Sequence, residues 1–152
     1  MQTYAYIIAG AGSAGCVIAN RLSADKNSSV LLLEAGGKDT NLFIHMPAGY
    51  SQLVPNANPS NYGYETEPDA NVGGRRMYWP RGRGWGGSSS INAMVYIRGN
   101  AADYDQWAQA GNTGWSYDEV LPYFKRAESF EGSGDDSYHG YDGPLAVTQS
   151  DR

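Results

Sequence analysis

At 152 residues the chain has the length of about one domain, and its 41% hydrophobic and 18% charged residues exclude a self-repelling disordered polymer. Its net charge of −5 argues against nucleic acid as a partner, although five arginines and no acid lie between Arg75 and Arg98. An anionic small molecule is the better expectation for that basic stretch, because the acids are concentrated in residues 101–152.

The first twenty residues carry no charge. A signal peptide would begin with a cation, whereas the first here is Arg21, after the apolar run. A spanning helix would not be interrupted by Gly10, Gly12 and Gly15, so neither a leader nor a membrane span is expected. The single cysteine, Cys16, excludes an internal disulfide framework and points to a cytoplasmic setting, with attachment to the periphery of the inner membrane as the alternative. Cys16 is expected as a small packing residue in a helix.

Tyr6-Ile7-Ile8-Ala9 is a short apolar run with β-branched residues that stops at glycine, the pattern of a strand buried on both faces of a parallel sheet. Gly10-Ala11-Gly12-Ser13-Ala14-Gly15 follows, a complete G-x-G-x-x-G, and helical spacing continues to Ser23. A second apolar run, Ser29 to Leu33, closes at Glu34, 24 residues after Gly10. In a dinucleotide-binding unit each part has a physical task. Gly10 permits the tight turn, Gly12 lets backbone approach a pyrophosphate, and Gly15 lets helix and strand pack closely. The N–H groups and dipole at the helix start would hold the phosphates, and Glu34 would accept hydrogen bonds from both ribose hydroxyls. An acid at that position repels a 2′-phosphate, which favours FAD or NAD over NADP.

After Glu34 the sequence reads mostly as loops, punctuated by Pro47, Pro55, Pro59 and Pro68. The stretch RGRGWGGSSSIN (81–92) has the composition of a flexible linker, yet it leads into INAMVYIRG, which reads as a buried strand. Residues 115–130 are predicted as an amphipathic helix with Val120, Leu121, Phe124 and Ala127 on one face, capped by Ser116 or Asp118. EGSGDD (131–136) reads as a solvated loop, and Pro144 to Val147 as a strand without a visible partner.

GAGSAG, then EAGG (34–37), then WPRGRGWGGSSSINAMVYIRG (79–99) resemble the glucose–methanol–choline (GMC) flavoprotein oxidoreductases, in particular their bacterial choline dehydrogenase and alcohol dehydrogenase branch. HMPAGY (45–50), DYDQWAQAG (103–111), GWSYDEVLPYFKRAE (114–128) and HGYDGPLAV (139–147) extend the resemblance over essentially the whole chain. It implies an α/β fold with a Rossmann-like FAD-binding βαβ unit at 4–36 and long flavin-contacting loops. A partial FAD domain would span 1–100, followed by a helical segment and the start of a substrate domain at 101–152. It also implies oxidation of an alcohol to an aldehyde by hydride transfer to FAD.

Carried onto this sequence, the resemblance places Gly86 and Gly87 at close backbone approach, Ser88 and Asn92 at polar contacts to the flavin nucleotide, and Ala93, Met94 and Val95 beside the isoalloxazine. The candidate cofactor residues are therefore Gly10, Gly12, Ser13, Ala14, Gly15, Glu34 and Ala35, with Arg81 and these seven from the later loop. Some members attach FAD through a histidine where this chain has Ile91, so non-covalent FAD is expected. Trp85 departs from the leucine common at its position. No metal site and no catalytic residue is assigned, and His45 and His139 are read as structural.

Members of the family are several times longer and carry their catalytic histidine near the C-terminus. The chain is accordingly read as the N-terminal part of a larger enzyme, with a C-terminal half and a small alcohol as expected partners. A nucleotide-binding module without redox chemistry, a non-functional truncated piece, and a lyase or decarboxylase of the same family stay open.

Overall fold

The computed structural model describes residues 2–149, and the chain divides between Val95 and Tyr96 into two compact units. In the first, β1 (Tyr6–Ala9) and β2 (Val30–Leu33) run parallel, with Tyr6 opposite Val30 and Ala9 opposite Leu33. α1 (Ser13–Ser23) provides the crossover that a parallel pair requires. A Cβ on Gly15 would lie 2.0 Å from the Gly10 carbonyl oxygen, so glycine alone lets the helix settle onto the end of β1. The strands are not buried on both faces as their composition predicts. Ile7 is 64% and Leu33 50% exposed, because two strands and one helix cannot cover a sheet that reads as the interior of a wider one.

Beyond β2 the first unit is built from turns. Short 3₁₀ segments at Leu42–Ile44 and Pro47–Gly49 lead into α2 (Tyr50–Leu53), and β3 (Tyr64–Glu65) pairs antiparallel with β4 (Tyr78–Trp79). Asn61, 1% exposed, organises this region. Its Nδ2 donates to the carbonyls of Leu53 (3.0 Å) and Val54 (3.1 Å), while its Oδ1 accepts from the N–H groups of Gly63 and Arg81, both at 3.0 Å. A buried amide is tolerable only when satisfied in this way.

The second unit contains α3 (Ala101–Gln109), capped by the Asn100 side chain, and α4 (Tyr117–Ala127). A capping box between Ser116 and Glu119 starts α4, which leaves Pro122 in the second turn and deprives the Asp118 carbonyl of its helical donor. The predicted helix over 115–130 ends early, because Glu128 turns to extended backbone and begins β5 (Glu128–Phe130). β6 (Leu145–Val147) pairs parallel with β5, so the segment expected to lack a partner has one three residues long. The Glu128 carboxylate, 0% exposed, accepts from Arg98 Nη2 (2.5 Å), Gly140 N–H (2.9 Å) and His139 Nδ1 (3.1 Å). Burial pushes the Glu128 carboxyl up, yet the Gly140 N–H, His139 and Arg98 together hold it below its usual range. Among the described residues no helix is long and apolar enough to cross a membrane.

Candidate functional site

The two glycine-rich stretches, more than seventy residues apart in sequence, meet in the first unit. The Gly86 N–H donates to the Ala11 carbonyl (2.8 Å), and Gly12 and Gly86 form a parallel bridge. A Cβ on Gly87 would approach Gly12 Cα at 2.9 Å, and Gly87 has φ +55°, so both space and backbone conformation demand glycine there. The hydroxyls of Ser13 and Ser89 hydrogen-bond across the junction. Gly87–Ser90 form a 3₁₀ turn, steadied by Ser90 Oγ donating to the Trp85 carbonyl (2.6 Å) and by Ser88 Oγ accepting the Gly82 N–H (3.1 Å). Ala11 (2% exposed) and Ile91 (5%) anchor the two sides. The stretch 81–92 is therefore a docked loop and not a linker.

The N-cap of α1 is Gly12, which supplies no side chain, and a Cβ built on it would meet nothing within 4 Å. The Cβ direction of Gly12 is thus open at the positive end of the helix dipole, and Ser13 and Ala14 are exposed in the first turn. This is a fit for a pyrophosphate, and it is the position at which the glycine fingerprint predicts one. Cys16 is exposed rather than packed, and its thiol donates to the Ala11 carbonyl (3.2 Å). Gly10, at φ +99°, turns the chain out of β1 and donates to the Leu33 carbonyl (2.7 Å).

Glu34 stands at the end of β2, where its carboxylate gathers three backbone N–H groups. Oε2 accepts from Ala11 (2.7 Å), and Oε1 from Gly36 (2.8 Å) and Gly84 (3.0 Å). These bonds, that of Gly36 foremost, hold the carboxyl below its usual range. A carboxylate offers about four acceptor sites, so these three donors leave about one, on Oε2, for any further hydrogen bond. A recess of about 380 Å3 opens beside it at the carboxyl ends of β1 and β2, lined by Ala9, Gly10, Leu33, Glu34, Ala35 and Tyr62. Crevices at that end of a parallel sheet are where such folds bind ligands. The Ala35 carbonyl accepts from Arg83 Nη2 (3.4 Å).

The remaining predicted residues are placed differently. Arg81 lies with its guanidinium 5.0 Å from the Trp79 ring and donates to the adjacent Pro80 carbonyl (2.6 Å), an exposed arrangement that points it at no other predicted residue. INAMVYIRG is not a strand. Met94 is 59%, Val95 72% and Ile97 82% exposed, since among the described residues no strand pairs with this segment. Asn92 Oδ1 accepts the Met94 N–H (2.8 Å). Trp85 is tied down by its N–H to the Gly37 carbonyl (3.1 Å), with Lys38 Nζ 5.4 Å from its ring. Each histidine is held by protein groups, His45 by the Asp39 carbonyl (2.5 Å) and His139 by Glu128 and the stacked ring of Phe130 at 3.9 Å.

A glycine-rich strand-to-helix turn locked to a glycine–serine loop, with an acid at the end of β2, invites comparison with known proteins. Residues 4–152 match the family model for GMC oxidoreductases. The chain belongs to that family. It is 55% identical over 145 residues to the oxygen-dependent choline dehydrogenase of Photobacterium profundum, covering 95% of this chain and 25% of that protein. It is 52% identical to an alcohol dehydrogenase [acceptor] of Pseudomonas putida, covering 95% and 26%, and 50% identical to the mitochondrial choline dehydrogenase of Homo sapiens, covering 96% and 25%. Among solved structures it resembles pyridoxine 4-oxidase from Mesorbium loti, with a TM-score of 0.85 and 41% identity over 95% of this chain and 28% of that one. An FAD-dependent oxidoreductase from Chaetomium thermophilum follows, with a TM-score of 0.79 and 35% identity over 96% and 26%. This GMC chain thus spans about a quarter of the length of the relatives it matches.

Four residues at this GMC site escape a sequence reading. Ser89 was one hydroxyl among three, and only the fold selects it for Ser13. Gly84 supplies Glu34 with a backbone N–H, which no residue type announces. Tyr62 reaches the recess from a stretch that looks like loop, and Asn61 positions Arg81 through a polar side chain in a region rich in them. An N-x-G run, Asn61 to Gly63, was the one available signal of a side chain closing a turn.

Proposed function

We propose that this chain forms the nucleotide-binding part of an FAD-dependent oxidoreductase that acts on CH–OH groups. One observation carries the reading: the docking of the Gly10–Gly15 turn against Gly84–Ser90, which leaves the Cβ direction of Gly12 open at the start of α1. Gly12, Ser13 and Ala14 would hold the pyrophosphate, and Glu34 with Ala35 the adenosine ribose. Ser88 and Asn92 would lie along the nucleotide, and Ala93, Met94 and Val95 would offer an exposed apolar surface to the ring. Bound FAD would supply the hydride acceptor for conversion of an alcohol to an aldehyde.

Ile91 is aliphatic and buried, which supports non-covalent attachment. His45 and His139 are engaged by protein groups, so the base that removes the hydroxyl proton is assigned to the part of the longer relatives that this chain does not span. The substrate would be a small alcohol, as the names of the relatives suggest, and the setting cytoplasmic.

Calorimetry of the chain with ADP and with FAD tests the reading. Saturable heat with both ligands, and flavin absorbance retained after gel filtration, are expected. Binding of neither would sink it. A second reading, a nucleotide-binding module without redox chemistry, is favoured by the engaged histidines; flavin bleaching by an alcohol under anaerobic conditions would dispose of it.

A further inference from the structure

Met94 is the one non-glycine residue, among those described, whose backbone lies in the left-handed region, at φ +57°. An L side chain there is strained, and a long unbranched one gains nothing from the conformation itself. Core packing does not compensate, since Met94 is 59% and Val95 72% exposed. What holds the turn is polar: Asn92 Oδ1 accepts the Met94 N–H at 2.8 Å, closing the chain over Ala93. One residue upstream, Ile91 is 5% exposed and fixes the segment to the first unit. An anchored residue, a side-chain latch and a strained residue therefore lie within four positions, 91 to 94, and they end in a short row of outward apolar side chains. Strain of this kind persists where the surroundings enforce it, and it gathers at ligand clamps.

We propose that Asn92 is a positioning residue for the isoalloxazine: its carboxamide locks Met94 in the left-handed conformation, and that lock sets the backbone and apolar face of Ala93–Val95 against the ring. The inference rests on the FAD reading above, and it replaces a direct polar contact from Asn92 with an indirect action through Met94. ADP lacks the isoalloxazine, so the lock should matter for FAD and not for ADP.

The test measures FAD and ADP affinities of the chain by calorimetry for Asn92→Ala, Met94→Val and the double variant Asn92→Ala/Met94→Gly. Loss of the latch is expected to weaken FAD about tenfold, the order of the strain it restrains, and to leave ADP within about twofold. Met94→Val, a branched residue forced to positive φ, should weaken FAD in the same way and serves if Asn92→Ala does not fold. Glycine adopts the left-handed region unaided, so the double variant should bind FAD more tightly than Asn92→Ala alone. Absence of that rescue means Asn92 touches the cofactor directly and overturns the proposal. So does unchanged FAD affinity in both single variants, or a parallel loss of ADP. A wild-type chain that binds ADP but gains nothing from the flavin overturns this inference alone, whereas one that binds neither ligand removes the FAD reading as well.

Discussion

Gly12 and Gly15 sit three residues apart in one fingerprint but are glycine for opposite reasons. Gly12 has an ordinary backbone, φ −77° and ψ −171°, with open space where a Cβ would go. Gly12→Ala should therefore leave the unfolding free energy nearly unchanged, within about 0.5–1 kcal/mol, while ADP affinity falls by at least about tenfold because the methyl would occupy the proposed phosphate position. Gly15→Ala should do the reverse first: its Cβ would lie 2.0 Å from a backbone carbonyl, so α1 must move off β1 and the unfolding free energy drops by about 2 kcal/mol or more. Urea titration alongside ADP calorimetry separates the two. Glu34 adds a pH dependence with a fixed sign. Its folded pKa is lowered, so its contribution is complete above the ordinary value of 4.5 and disappears as pH falls through the lower folded value. Exchange protection of the Gly84 amide should weaken on acidification below that value in the wild type, and should show no such pH step in Glu34→Gln.

Elements tell how far the sequence could be read. The βαβ unit was legible because a β-branched run, a glycine fingerprint and an acid at fixed spacing each admit few alternatives, and its strands and helix lie where predicted. The start of α4 was legible in part: Ser116 and Asp118 both read as possible caps, and the fold selects Ser116 through a capping box with Glu119. α3 was not, because its apolar residues mix three alanines with Tyr104 and Trp107, and its charges fall between them without a clean stripe. β6 was read as a strand but its partner β5 was missed, because three residues lie below what periodicity resolves, and 91–99 was overread because apolar composition does not supply a pairing partner. Arg98 and Glu128 are thirty residues apart, and their pairing is a property of the fold alone. Both side chains are at most 1% exposed, so Arg98→Ala strands a buried carboxylate and should cost about 3–5 kcal/mol. Ser116→Ala, which removes one half of a surface cap, should cost about 1 kcal/mol. Urea denaturation of the two variants checks the ranking; a milder loss in Arg98→Ala than in Ser116→Ala would contradict the burial argument.

For the chain taken whole, the apolar side chains left open matter most. Tyr6, Ile7, Val17, Ile18, Leu32 and Leu33 are all at least 36% exposed on one βαβ unit, more than a monomeric protein normally leaves in contact with water. The isolated chain should bind the dye ANS and self-associate as concentration rises, and Ile7→Lys/Val17→Lys should reduce both. Dye fluorescence and sedimentation velocity measure the two effects; a dye-silent monomer would mean these faces are covered. The bond between the Gly86 N–H and the Ala11 carbonyl has a separate consequence, for the order in which the molecule assembles. It closes a loop of about 75 residues, an entropic burden of roughly 4 kcal/mol, whereas β1, α1 and β2 close within a span of about 28. During refolding the strand–helix–strand unit should gain amide protection early, and the Gly86 amide late. A cofactor held on both sides of that closure, as proposed above, would favour the closed form and so act as a template for the last step of folding.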